Sequence, residues 1–357
     1  MKTIVYKISE TDETVWLKAA GGVLAAGGLV GIPTETVYGL AANALDAEAA
    51  AKIYAAKGRP SDNPLIVHIS DISMLDGLVT EIPGTARKLA ETFWPGPLTM
   101  IFPKKDVVPY GTTGGLDTVA VRMPSHPVAR KLIGTTGIVL AAPSANTSGR
   151  PSPTRAEHVY EDLNGKIDMI LDDGPVGIGI ESTVVDMTGS VPMILRPGYI
   201  TREMMEAVVG EVRVDPAILG ENRDKNFQPK APGMKYKHYA PKGDLTLVSG
   251  PDEKVVKKIR ELASEKLAAG FRVGIIATEE TKALYETVVQ GNSQPVVMSI
   301  GTRKDEDTII HNLFDVLRRM DGEEVSYIYS ESFEEGSRGK AIMNRMLKAA
   351  GHQQIYV

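Results

Sequence analysis

Around residues 217 to 243 the chain loses every regular pattern. The run "ILGENRDKNFQPKAPGMKYKHYAPKGD" is polar and carries three prolines, and for about twenty-five residues it shows neither a helical nor a strand period. A structureless loop of that length is uncommon inside one compact domain, so the stretch divides the chain in two. At 357 residues the length independently favours two domains. The predicted division is residues 1–215, a connecting segment 216–243, and residues 244–357.

The two sides differ in organisation. Before the break, residues 12 to 28 read as an amphipathic helix capped by Thr11 or Asp12 and stopped by Gly27-Gly28. The strand "LVGIP" follows, then "TETVYGLAANA", a helix from Asp46 to Lys57, the strand "LIVHIS" and a helix from about Gly84 to Trp94. The β-like runs "LTMIFPK", "TVAVRMP", "GIVLAAPS", "DMILDDG", "STVVDM" and "PMILRPG" complete this part. Strands outnumber helices and do not alternate strictly with them, which predicts a twisted mixed α/β sheet in place of a doubly wound one. After the break, strand and helix alternate from "LTLVSG" to "QQIYV", the pattern of a smaller, Rossmann-like parallel α/β domain. It lacks the glycine fingerprint of a dinucleotide site.

Composition narrows the chemistry. The chain has no cysteine, which excludes disulfides, thiolate metal sites and a cysteine nucleophile. The six histidines are scattered, and neither a P-loop nor a nucleophile elbow is present. The N-terminal apolar run is too short for a signal peptide and no run is long enough to span a bilayer, so a cytoplasmic protein is expected. A net charge of −5 argues against a broad grip on nucleic acid and leaves room for a local basic patch.

Four clusters of small polar residues and cations recur at predicted strand ends, where open α/β sheets present groups to ligands. "PTETVYG", Pro33 to Gly39, has two threonine hydroxyls and reads on its own as a turn. "KGRPSDNP", Lys57 to Pro64, reads as an ordinary helix end: Gly58 suits the left-handed stop, Lys57 faces the negative end of the helix dipole and Pro60 prevents continuation. "APSANTSGRPSPT", Ala142 to Thr154, is crowded with hydroxyls and also suits a solvated loop. "GPVGIGIESTVVD", Gly174 to Asp186, has glycines that would let backbone amides approach an anion, and also suits a hairpin.

In this order the clusters are distinctive. "PTETVYGL", the pair Lys57 and Arg59, the pair Ser144 and Asn146, "ESTVVD", and "LRPG" at Leu195 to Gly198 together resemble the YrdC-like family. With "APGMKYKHYAPKGD" and a second α/β domain behind it, the chain resembles the long, two-domain threonylcarbamoyl-AMP synthases over essentially all its residues. The resemblance implies a nucleotidyltransferase that condenses L-threonine, bicarbonate and ATP into threonylcarbamoyl-adenylate and releases pyrophosphate. It implies a product passed to a tRNA threonylcarbamoyl transferase, with weak or indirect tRNA contact, no membrane, and Mg²⁺ carried by the ATP phosphates. Such chemistry asks the protein for orientation and charge stabilisation only.

Carried over residue by residue, Lys57 and Arg59 would neutralise the triphosphate and the charge developing at the α-phosphorus. Asn63, Ser144, Asn146 and Ser152 would join Arg59 at the nucleotide, with Thr118 and Arg196 touching it. Thr34 or Thr36, His68, Arg122, Ser182 and the backbone at Ala142 would form the threonine pocket, Arg122 meeting the α-carboxylate with its planar fork. His68, in an apolar strand, also suits a satisfied core position. His238 would contact ATP from a connecting segment acting as a lid.

Two other readings stand beside this one. Hydrogenase-maturation carbamoyltransferases contain a YrdC-like module but add cysteine-rich zinc motifs that this chain lacks. An RNA-binding module would use Lys52, Lys57, Arg59 and Lys235 as a basic surface.

Overall fold

In the structure, a computed structural model, residues 2–218, 238–289, 291, 293–333 and 338–357 are described. The chain divides into two units, Met1–Ser148 with Ser152–Tyr236, and Gly149–Pro151 with Lys237–Val357. Most of the expected connecting segment, residues 219–237, lies outside the described residues, and Lys235 with it.

The first unit is built on strands β1 (Ile4–Lys7), β2 (Val30–Ile32), β3 (Gly39–Asn43), β4 (Ile66–His68), β5 (Leu98–Pro103), β6 (Thr118–Arg122), β7 (Leu140–Ala141), β8 (Met169–Asp172), β9 (Thr183–Asp186), β10 (Met193–Arg196) and β11 (Arg213–Val214). Its helices are α1 (Glu13–Ala25), α2 (Ala47–Lys57), α3 (Gly84–Phe93), α4 (Tyr110–Thr113), α5 (Pro127–Thr136), α6 (Ala156–Leu163) and α7 (Arg202–Val209). Among the described residues the strands form one sheet in the order β1-β8-β2-β3-β7-β4-β6-β5-β9-β10-β11. Pairing is mixed: β4 runs parallel to β6, while β6 and β5 are antiparallel.

Alternation along β3 explains why the sheet is covered on both faces. Leu40 and Ala42 join a large apolar layer with Ile53, Leu89 and Val159, while Ala41 joins a second layer with Trp16, Leu24 and Leu132. The helix ends follow their local chemistry. Asp12 caps α1 by accepting from Thr14 N at 2.8 Å, and Asp46 caps α2 by accepting from Glu48 N at 2.9 Å. Gly58 ends α2 at φ 60°, and Arg59 N closes back on Tyr54 O at 3.0 Å. The helix therefore stops with Lys57 in its last turn.

The second unit contains β12 (Asp244–Ser249), α8 (Asp252–Ala268), β13 (Val273–Ala277), α9 (Lys282–Glu286), β14 (Val296–Ser299), α10 (Glu306–Gly322), β15 (Tyr327–Glu331), α11 (Gly339–Ala349) and β16 (Gln354–Tyr356). Every strand pair is parallel, in the order β14-β13-β15-β12-β16. The chain leaves β13 toward one edge and β15 toward the other, so these neighbours flank a topological switch point. The tripeptide Gly149–Pro151 belongs with this unit. Ala240 N donates to Gly149 O at 2.8 Å, and Arg318 donates to Pro151 O through Nε at 3.1 Å and Nη2 at 2.6 Å. Asp321 accepts from Lys242 N at 2.6 Å and pairs with Arg150 at 3.5 Å. No helix among the described residues is long and apolar enough to cross a membrane.

Candidate active site

Strand register assembles one half of the site. His68 of β4 lies opposite Arg122 of β6, and Arg122 lies opposite Thr99 of β5. The Thr99 hydroxyl is 2.8 Å from that of Ser182, which immediately precedes β9. The sheet thus sets His68, Arg122, Thr99 and Ser182 side by side, though 114 residues separate the first from the last.

Arg122 is the centre of this row and is 4% exposed. Its Nε donates to Gly96 O at 3.3 Å and its Nη1 to the Thr36 hydroxyl at 2.9 Å. Thr36 in turn is 2.9 Å from the Thr34 hydroxyl, which donates to Val37 O at 2.6 Å. Nη2 lies 2.6 Å from Glu35 Oε1 as an ion pair without hydrogen-bond alignment, and among the described residues neither atom has a hydrogen-bond partner. Glu35 was not among the residues expected here. An acid between two threonines in "PTETVYG" carries no signal until the sheet brings Arg122 against it.

His68 Nδ1 donates to Ile66 O at 3.1 Å. Burial, reinforced by the Arg122 charge, pushes its pKa down to about 3, so it is a neutral imidazole at working pH. His126 lies 3.6 Å from Asp173. Burial lowers its pKa against the opposing pull of Asp173 and Glu35. Ala142 joins the sheet by donating its N–H to Ile66 O at 2.9 Å.

The other half gathers on the loop after β7. Lys57 is 1% exposed, and its Nζ donates to Ser144 O at 2.5 Å, Asn146 O at 2.6 Å and Asn146 Oδ1 at 3.4 Å. Lys57 O also accepts from Ser148 N at 2.8 Å. The end of α2 is therefore fastened to the serine loop, and the ammonium serves loop carbonyls in the first instance. Arg59 donates through Nε to Asn63 O at 3.1 Å and through Nη2 to Pro64 O at 3.0 Å. Asn63 is buried, and among the described residues no hydrogen bond reaches its Oδ1. Ser152 donates its hydroxyl to Glu181, and Arg196 reaches Ser182 O at 2.9 Å and the Ser182 hydroxyl at 3.2 Å. Gly198 makes that approach possible, because a Cβ there would stand 2.4 Å from Thr183 N.

Within the first unit, Thr118 stands apart from the Arg122 row. Thr118 begins β6 and Arg122 ends it, about 13 Å apart by strand rise. Gly114, just before Thr118, instead packs its Cα against Asp62 and Pro64. His238 is half-buried in the second unit, with its ring 5.5 Å from that of Tyr239. In the glycine-rich run Gly174 to Asp186, Ile178 N and Gly179 N donate to Glu35 O and Thr36 O at 2.7 and 3.0 Å. Those amides brace "PTET". Lys52 directs its Nζ to Gly27 O at 2.7 Å, and with Lys57 and Arg59 buried these cations do not form the basic surface an RNA-binding module would use. No group of three or more His, Cys, Asp or Glu able to hold a metal occurs among the described residues.

Two family models match consecutive parts of the chain. One, described as telomere recombination, covers residues 22–198, and the C-terminal domain of threonylcarbamoyl-AMP synthase covers residues 200–351. A threonylcarbamoyl-AMP synthase of Pyrococcus abyssi is 48% identical over 355 residues, 99% of this chain and 100% of that one. The chain belongs to the threonylcarbamoyl-AMP synthase family. A Bacillus subtilis member is 47% identical, again over 99% of this chain and 100% of the relative. The crystal structure of P. abyssi Sua5 complexed with L-threonine superimposes with a TM-score of 0.90 at 47% identity, covering both chains completely. The family has the two-part architecture seen here, a mixed YrdC-like sheet and a parallel C-terminal one.

Proposed function

We propose that the chain joins L-threonine, bicarbonate and ATP into threonylcarbamoyl-AMP and releases pyrophosphate. The observation that carries this reading is the Arg122 node: a buried guanidinium whose outer N–H groups keep donor capacity, in a ring of hydroxyls that fits a small hydroxy amino acid. Full-length relatives named for this activity support the reaction class.

The residues divide the work as follows. Arg122 takes the α-carboxylate, and Thr34, Thr36, His68, Ser182 and the backbone at Ala142 shape the rest of the threonine pocket. Neutral His68 serves as a hydrogen-bonding wall that brings no second cation beside Arg122. Arg59, Asn63, Thr118, Ser144, Asn146, Ser152, Arg196 and His238 bind the nucleotide. Lys57 holds the Ser144–Asn146 loop and adds its charge behind the phosphates, so that its effect on the anion is exerted through the loop. Mg²⁺ carried by the ATP phosphates would screen their charge, beside Arg59 and the loop that Lys57 holds.

In the reaction the threonine amine and bicarbonate give a carbamate and water. A carbamate oxygen then forms a bond to the α-phosphorus as the bond to the bridging oxygen of pyrophosphate breaks. No protein nucleophile takes part, and the site contributes alignment and charge. The product passes to a tRNA threonylcarbamoyl transferase in the compartment that holds tRNA, the cytoplasm. The working domains are 1–215 and 244–357, and residues 216–243 act as the lid that shields the adenylate from water.

The test is pyrophosphate release from ATP with Mg²⁺ and bicarbonate, with and without L-threonine, with serine as control. Threonine-dependent release that disappears in Lys57→Ala and Arg59→Ala is expected. Release that ignores threonine although ATP binds would overturn the substrate assignment.

A further inference from the structure

Glu35 has no part in the site as set out above, yet it is the carboxylate in direct contact with Arg122. Its side chain is 12% exposed, and among the described residues neither of its oxygens accepts a hydrogen bond, although both are buried. A buried carboxylate with acceptor capacity left over is uncommon, because each unfilled lone pair forfeits a charge-assisted bond that water would have supplied. Arg122 has the complementary surplus. A guanidinium carries five N–H donors, and Arg122 spends one on Gly96 O and one on Thr36.

The backbone that carries the acid is braced. Glu35 O accepts from Ile178 N at 2.7 Å, and Gly179 N holds Thr36 O at 3.0 Å, which fixes where the Glu35 side chain leaves the chain. The Thr34 hydroxyl, turned to Val37 O, is unavailable to neutralise Glu35 by donation. Nearby acids are otherwise engaged: Glu181 receives the Ser152 hydroxyl, and Asp173 lies beside His126 and is more exposed.

A buried cation and anion 2.6 Å apart form a fixed dipole, and an amino acid at neutral pH is a dipole of similar length. Set antiparallel, the α-carboxylate meets Arg122 and the α-ammonium meets Glu35, which fills the surplus on both sides at once. We propose that Glu35 is the specificity-determining residue that receives the α-ammonium of the amino-acid substrate. This rests on the threonine pocket assigned above and extends it to the substrate group that becomes the carbamate. It also explains why an arginine and an acid share a site that must accept a zwitterion and refuse simple hydroxy acids.

The experiment compares two ligands on the full-length chain, L-threonine and 3-hydroxybutanoate, which is threonine without the amine. Dissociation constants are read by calorimetry for the first and ligand-observed NMR for the second, with ATP binding as the measure of an intact fold. Glu35→Gln should weaken threonine at least 30-fold and leave 3-hydroxybutanoate within threefold of wild type, with Glu35→Asp recovering part of the loss. Arg122→Lys should weaken both ligands. If Glu35→Gln binds threonine as well as wild type or better, Glu35 is a counter-ion that the substrate displaces, and the proposal fails. An equal loss for both ligands would also overturn it, by showing that Glu35 acts through the placement of Arg122. If instead Arg122→Lys changes neither ligand, or wild type binds no threonine, the pocket itself is misassigned and the inference falls with it.

Discussion

Glu35 in the first unit and Glu331 in the second are both buried carboxylates set against an arginine, and they are provided for differently. Glu331, 1% exposed at the end of β15, accepts from Arg303 Nη2 at 2.8 Å, the Tyr285 hydroxyl at 2.8 Å and the Thr278 hydroxyl at 3.4 Å. Burial, helped by the neighbouring carboxylate, raises the Tyr285 pKa, so the phenol keeps the proton it donates. Glu35 has its arginine but no aligned donor. Glu35 lies in the connection between β2 and β3, and Glu331 ends β15 beside a topological switch point, where fold alone would place a ligand. Location therefore does not separate the two; the difference lies in the carboxylates, Glu331 with its acceptors filled and Glu35 with neither oxygen accepting a hydrogen bond among the described residues.

The sharpest way to break this contrast is at its two arginine-acid pairs. Arg122→Ala should lower threonine-dependent kcat/KM by at least a hundredfold, about 3 kcal/mol, in addition to the stability lost by leaving Glu35 unpaired, which denaturant titration of the same variant reads separately. A change confined to stability would make Arg122 a strut like Arg303. Conversely, Glu331→Ala should destabilise the second unit by about 3 kcal/mol in denaturant titrations. That lies at the lower end for a broken buried pair because Arg303 remains partly exposed. The KM values for threonine and ATP should stay within twofold, and a selective rise in either would give the switch point a ligand-binding role.

A smaller effect is expected at Gly198. Its Cα packs so closely on Ser182 and Thr183 that Gly198→Ala should cost about 2 kcal/mol and weaken threonine by displacing Ser182. Equilibrium unfolding and threonine titration on the same sample check both parts. An effect of similar size, visible only at acid pH, concerns His68. Its folded-state pKa of about 3 is below the ordinary value of 6.5, so between these pH values the unfolded chain binds the extra proton. Stability therefore falls as pH drops through 6.5 toward 3, and His68→Gln should remove that slope, worth about 2 kcal/mol by pH 5. Parallel stability profiles for the two proteins would show that His68 is not a buried neutral imidazole.

Some of this was legible in the sequence. The mixed first sheet and the alternating second part follow from strand spacing, and "KGRPSDNP" reads correctly as a helix end because capping is local. β3 was harder to see, since "GLAAN" has weak strand propensity and becomes a strand by pairing with β2 and β7. The helical stretches α5, α6 and α7 were likewise unassigned, being short amphipathic segments between clearer strands. The residues of the site could be nominated, but their bonding could not. That Lys57 is tied to carbonyls 87 and 89 residues away, and that Glu35 meets Arg122, are products of sheet register that no local pattern encodes.

The grouping of Gly149–Pro151 with the second unit alters how the chain can be cut. Its neighbours Ser148 and Ser152 belong to the first unit, so the polypeptide changes unit three times, not once. Removing everything after residue 236 is therefore not a clean excision, for it also strips Gly149 O of the Ala240 amide and Pro151 O of Arg318, on the same loop as Ser152. A shortened protein that turns over slowly would report a loosened serine loop as readily as a missing lid. Substituting His238 in the full-length chain separates the two.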